Sequence, residues 1–368
     1  MNLIISTTNI ISGAEYVLID YLNNTNIGKD NFLLLTTDDK NILETYKIND
    51  INVLGLKQLS QVGFFSSRNP KSIIKKILNL LIITIILKKI IINNNIKKIV
   101  GNNTGDCIYS FIIKKILKFK NPYFLFIHDI VKVNSFLSKI IRVCDNSVDK
   151  YFAVSEAVKL NLIKIGIQAE KIEVIYNGMK YNQNFHIKNM NKELNLGFIG
   201  NIEERKDPLK FIEIINLFKN QNLEVKGEMV FKHFDSILLD KIKKNIFESG
   251  NDIKLIGEIN RDEMKNFFNK LDFLIVTSKN DPLPTVILEA FNNGIPVIGN
   301  DIDGIPEMIE DNKTGFLYKN DKELLDIILK IKSMTNDEYK KMSEKANLSI
   351  KKKFALEKKV EKLDKELR

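Results

Sequence analysis

The stretch Asp281-Pro282-Leu283-Pro284-Thr285-Val286-Ile287-Leu288-Glu289-Ala290 decides how this chain reads. A strand-like run at 273–277 precedes it, and a helical pattern follows, closed by Gly294 and Pro296. One acid therefore falls on the loop after a strand, and the second lies a little over one turn into the next helix. The first amides of a helix have no partner within it, so Thr285 and Val286 offer donors toward the same crevice as the carboxylates. Acids suit hydroxyl groups and a helix N-terminus suits phosphate, a pairing that fits a nucleotide sugar.

Outward from this stretch the chain alternates short β runs with helical patterns. Strands are expected at 2–6, 32–35, 52–54, 99–100, 123–127, 151–154 and 173–175, then at 194–199, 225–230, 253–255, 273–277 and 296–299. Such alternation implies parallel sheets covered by helices on both faces. The chain has 368 residues, enough for two domains. The polar segment 181–192, rich in Asn, breaks the rhythm and divides a domain at 1–180 from one at 193–350. Residues 351–368 form a Lys/Glu-rich helix with Leu356, Val360, Leu363 and Leu367 along one stripe. Ligands of open α/β sheets bind beyond the carboxyl ends of the strands. Gly200 ends one such strand, Arg205 and Lys206 follow it, and Asp207-Pro208 opens a helix. Two cations before a helix N-terminus form a diphosphate site by both charge and amide donors.

Charge is uneven. Residues 1–180 hold 24 Lys and Arg against 14 Asp and Glu, whereas residues 181–368 hold 32 of each. A basic first half favours an anionic partner such as lipid headgroups. Nucleic acid is not expected, because aromatic and basic residues do not interleave on any recognisable motif. Cys107 and Cys144, two isolated cysteines, suggest a reducing compartment with no disulfide framework. No Cys/His cluster has metal spacing, and Asp301-Ile302-Asp303 is read as a surface loop. The N-terminus lacks the charged region and cleavage site of a signal peptide. The apolar stretch 73–92 is punctuated by Lys75, Lys76, Lys88 and Lys89, and its uncharged run of 77–87 is too short to span a bilayer.

The series Leu255-Ile-Gly-Glu258, Asp281-x7-Glu289, Gly294-Ile-Pro-Val297, Gly304-Ile-Pro-Glu307 and Thr314-Gly-Phe-Leu317 resembles the C-terminal half of the retaining glycosyltransferases of family four. The resemblance implies a GT-B fold: an α/β architecture of two Rossmann-like domains facing each other across a cleft, with the terminal helix crossing back to the first. It implies transfer of a hexose or N-acetylhexosamine from a nucleotide diphosphate sugar, UDP-linked by preference. The acceptor is a glycan or a lipid-linked glycan in bacterial surface polysaccharide or lipopolysaccharide synthesis, and the product linkage is α. The alternative is a non-catalytic sugar- or lipid-binding protein on the same fold.

By the same resemblance Glu289 receives the ribose hydroxyls and Asp281, where the family usually has Glu, meets the donor sugar. Lys206 contacts the diphosphate, with Arg205 beside it in place of an Arg the family carries directly after Gly200. The amides of Leu283, Thr285 and Val286 are donors, while Pro284 removes one. His128 lines the sugar and acceptor pocket, and Gly13 belongs to a turn near the diphosphate. Catalytic roles thus fall to Asp281 and His128, donor binding to the remainder. Neither a cofactor nor a metal is implied. The expected location is the cytoplasm, peripheral on the anionic inner face of the membrane.

Overall fold

A computed structural model describes residues 1–60 and 70–368, without the side chains of 60–77, 261 and 262. The chain forms two compact units, Met1–Asn177 with Leu356–Arg368, and Gly178–Ala355.

The first unit is built on seven strands: β1 (Asn2–Ser6), β2 (Phe32–Thr36), β3 (Val53–Gly55), β4 (Lys98–Gly101), β5 (Tyr123–Ile127), β6 (Lys150–Ala153) and β7 (Ile172–Val174). Their order is β3-β2-β1-β4-β5-β6-β7, every pair parallel. β1, β2 and β5 are buried along their whole length, as strands covered on both faces must be, which is why they read as continuous apolar runs. The terminal helix Leu356–Leu367 belongs to this unit. Leu356, Val360, Leu363 and Leu367, the stripe seen in the sequence, enter the core formed with Ile4, Leu18, Tyr21 and Phe126. Polar ties fix it further. The Tyr21 hydroxyl donates to Asp364 at 3.0 Å, and the Asn2 side-chain amide donates to the Leu367 carbonyl at 2.9 Å.

The second unit holds β8 (Leu194–Ile199), β9 (Val225–Val230), β10 (Ile253–Gly257), β11 (Phe273–Val276), β12 (Val297–Asn300) and β13 (Gly315–Tyr318), in the order β10-β9-β8-β11-β12-β13, again all parallel. β13 was not among the expected strands. Its Thr314-Gly315 start reads locally as a turn. Segment 181–192 lacks regular structure but is fastened to this unit rather than spanning open space. The fully buried Asp272 carboxylate accepts from the amides of Asn191 and Asn195 at 3.1 and 2.8 Å and pairs with Lys188 at 3.1 Å.

The helix Pro70–Asn93 contains the apolar stretch read from the sequence. No helix among the described residues is long and apolar enough to cross a membrane.

Candidate active site

In the second unit the loops after β8 and β11 meet. β11 ends at Val276, and the chain turns through Thr277–Pro284 into the helix Thr285–Asn292. Glu289 is the fifth residue of that helix, so one full turn separates it from the N-terminus. Pro284 occupies the N-cap position, and its carbonyl accepts from Ile287 at 3.1 Å. Thr285 and Val286 therefore stand at the first two helical positions, whose amides have no intrahelical acceptor. Leu283 is buried in the turn before them.

After β8, Gly200 leads through a short 3-10 turn, Glu204–Lys206, to Asp207, which adopts left-handed backbone (φ 47°) before the helix Pro208–Asn220. The two loops are stitched together. Thr277 Oγ1 lies 2.7 Å from the Lys206 carbonyl and 2.9 Å from that of Asp207, and the Lys279 amide donates to the Arg205 carbonyl at 2.8 Å. The side chains converge as well. Lys206 Nζ pairs with Asp281 Oδ2 at 2.6 Å, Arg205 approaches the same oxygen at 3.9 Å, and the Ser278 hydroxyl lies 3.3 Å from it. Arg205 is more solvated than Lys206 and also pairs with Glu203 at 2.9 Å. A carboxylate as buried as Asp281 needs such a cation, and the cation is held where the sequence places the diphosphate.

Asp303 does more than its reading as surface loop suggests. Its carboxylate accepts from the Asp281 amide at 3.0 Å, while the Gly304 amide donates to the Asp281 carbonyl at 3.1 Å. Burial raises the Asp303 carboxyl above its usual range, partly offset by that amide and reinforced by the Asp281 charge. Gly304 is required at this point: a Cβ there would lie 1.8 Å from the Pro282 carbonyl oxygen. Gly200 is less constrained, since its Cβ would meet Lys206 methylenes at 3.6 Å. Asp301 is drawn away toward Lys319, at 3.3 Å. The roles of Thr277 and Asp303 escape sequence reasoning because each depends on a partner in another loop, and Ser278 meets Asp281 only through the fold of their shared turn. The only local signal is a pair of hydroxyl residues directly after an apolar strand.

In the first unit Gly13 and His128 both follow strand ends, β1 and β5. Gly13 opens the helix Gly13–Asn24, with Ser12 as N-cap. The buried Glu15 accepts from the Ser12 amide and hydroxyl at 3.0 and 2.5 Å, a capping box. The His128 ring stacks on Phe126, with 5.6 Å between centroids, and its Nε2 is buried with no hydrogen-bond partner among the described residues. Burial, and then the charge of Lys359, push its pKa down to about 3. The imidazole is therefore neutral near pH 7. Lys359, on the terminal helix, is buried too and pushed down to about 7.

The profile of the family "Glycosyl transferases group 1" matches residues 180–360, and that of "Glycosyltransferase Family 4" matches residues 58–182. Together they place the chain among the GT-B glycosyltransferases of these groups. It is similar to the amylovoran biosynthesis glycosyltransferase AmsK of Erwinia amylovora, 26% identical over 48% of this chain and 45% of the relative. It is also similar to the O-antigen biosynthesis glycosyltransferase WbnH of Escherichia coli, 25% identical over 66% of this chain and 68% of that protein. The chain thus spans less than half the length of AmsK. Among solved structures, Anabaena HepE in complex with UDP superposes with a TM-score of 0.79 at 19% identity, covering 100% of this chain and 99% of that one. That agreement establishes the GT-B fold.

Proposed function

We propose that this chain transfers a hexose or N-acetylhexosamine from a UDP-sugar, with retention, to a glycan or lipid-linked acceptor of a bacterial surface polysaccharide. The observation that carries the reading is the meeting of Lys206 and Asp281 beside the N-terminus of the helix that bears Glu289. HepE bound to UDP and relatives named for amylovoran and O-antigen synthesis support it.

In this reading Lys206, Arg205 and the amides of Leu283, Thr285 and Val286 hold the diphosphate, and Glu289 takes the ribose hydroxyls. Asp281 contacts the donor sugar once the diphosphate claims Lys206. The bond from the anomeric carbon to the phosphate oxygen breaks as the acceptor oxygen bonds to the same face. The acceptor proton passes to the departing phosphate oxygen, and same-face attack on an α-linked donor leaves the product α. The charge developing on the diphosphate is assigned to the two cations and the helix N-terminus rather than to a metal. Neutral His128, with Gly13, is assigned by resemblance to the first unit's part in handling sugar and acceptor. The basic first half is assigned to peripheral contact with the anionic inner face of the membrane, where a lipid-linked acceptor resides.

The test is turnover with purified acceptor lipid in excess EDTA, with the anomeric proton of the product followed by NMR. An α product formed without added metal supports the reading. A β product overturns retention, and activity that depends on Mn²⁺ overturns the metal-free assignment. The second reading, a binding protein without catalysis, rests on the prior engagement of Asp281 by Lys206. Tight sugar-nucleotide binding without turnover would favour it.

A further inference from the structure

The first unit carries an apolar surface that donor chemistry leaves unused. The helix Pro70–Asn93, the helical run through Cys107–Phe111 and Ile112–Ile116, and the helix Phe136–Cys144 frame a groove of about 610 Å³. Leu81, Phe111, Ile116, Phe136, Ile140 and Val143 are among its walls. Four of these side chains are more than half exposed: Leu81 57%, Ile116 55%, Phe136 63% and Val143 69%. Apolar side chains scattered singly over a surface are ordinary, but a contiguous set marks an interaction site.

The three framing segments carry charge of one sign, with no acid in 70–93, 107–116 or 136–144. Residues 51–144 contain 16 Lys and Arg but only two acids, Asp106 and Asp129. Asp106 is completely buried, so it does not reach the surface. Lys88, Lys89, Lys115, Lys139 and Arg142 are exposed on the same three helical segments. Lys114 is held by Asp149 at 2.9 Å, and Lys75 and Lys76 lie outside the residues whose side chains are described. An apolar floor inside a cationic rim does not suit a second copy of this chain, which would bring like charges face to face. It suits acyl chains beneath a layer of anionic headgroups.

We propose that this groove seats on an anionic bilayer, with Leu81, Phe136 and Val143 entering the acyl layer and the flanking cations at headgroup level. The inference rests on the membrane contact assigned above and adds to it an apolar anchor that salt cannot screen.

The experiment uses the full chain, sedimented with phosphatidylcholine vesicles with or without phosphatidylglycerol, at low and at high salt. Binding to phosphatidylglycerol vesicles at low salt tests the contact itself. The groove is tested by what survives at 1 M salt, where the Debye length falls to about 3 Å. Wild type should retain a bound fraction there. The Phe136→Glu/Val143→Glu variant should lose that fraction and partition at least about tenfold more weakly, with UDP-induced thermal stabilisation unchanged as proof of an intact fold. Complete release of wild type by salt, with the variant binding like wild type at low salt, would overturn the groove while leaving charge-driven contact standing. No binding to either vesicle would overturn both. Dimerisation of wild type that the variant abolishes, with vesicle binding unaffected, would assign the groove to self-association instead.

Discussion

Replacing Lys206 by alanine separates two tasks that the structure gives to one side chain. At rest its Nζ neutralises Asp281 at 2.6 Å, and that carboxylate is only 6% exposed. In the proposed reaction the same ammonium receives the diphosphate. Removing one partner of a buried ion pair costs about 3–5 kcal/mol when nothing replaces it. Here Arg205 at 3.9 Å and Ser278 at 3.3 Å remain, so the loss of stability should fall to about 2–3 kcal/mol. The lost phosphate contact adds a separate penalty of about 1.5–3 kcal/mol on UDP, roughly a 10- to 150-fold rise in Kd. Urea unfolding and titration calorimetry with UDP measure the two independently. The double variant Lys206→Ala/Asp281→Asn should recover most of the stability and none of the affinity. Asp281→Asn alone frees Lys206 from its resting partner, so UDP should bind more tightly while transfer falls. Wild-type UDP affinity in Lys206→Ala, or weaker UDP binding in Asp281→Asn, would refute the shared role of this lysine.

Other consequences can be checked on the same protein. Gly304→Ala should cost about 3 kcal/mol or more through collision with the Pro282 carbonyl, whereas Gly200→Ala should cost less than about 1 kcal/mol; thermal unfolding compares them. Lys359 titrates at about 7 when folded and near 10.4 when unfolded. Between those values the unfolded chain binds more protons, so this lysine makes stability rise with pH across that window and lowers it toward neutrality. Lys359→Met should raise the midpoint at pH 7 and flatten the profile from pH 7 to 10; an unchanged slope would contradict the depressed titration. Asp272→Ala should destabilise the second unit by about 3 kcal/mol and release segment 181–192, read as faster amide exchange at Asn191 and Asn195.

Much of the architecture was legible because parallel strands buried on both faces leave continuous apolar runs, as at 2–6 and 123–127. The stripe of Leu356, Val360, Leu363 and Leu367 announced a packed helix, but its place in the core of the first unit was suggested only by family resemblance. A helical period says that a face is buried, not against which sheet. The acid loop was visible as Asp281-x7-Glu289 and its cations as Arg205-Lys206. That Lys206 and Asp281 touch was not, since 75 residues separate them in sequence. Asp303 and Asp272 were hidden for the same reason: their value lies in backbone amides supplied by distant loops. β13 escaped because its Thr314-Gly315 start reads as a turn; length is not the reason, since the three-residue β3 and β7 were expected.

Whether this site takes a UDP-sugar and releases UDP is read by measuring UDP release from UDP-glucose, UDP-galactose and UDP-N-acetylglucosamine. Wild type is compared with Lys206→Ala and Glu289→Ala. Wild type should release UDP from at least one donor, and both variants should lose at least about tenfold in rate. Absence of UDP release from every donor, or release undiminished in both variants, would contradict the proposed function.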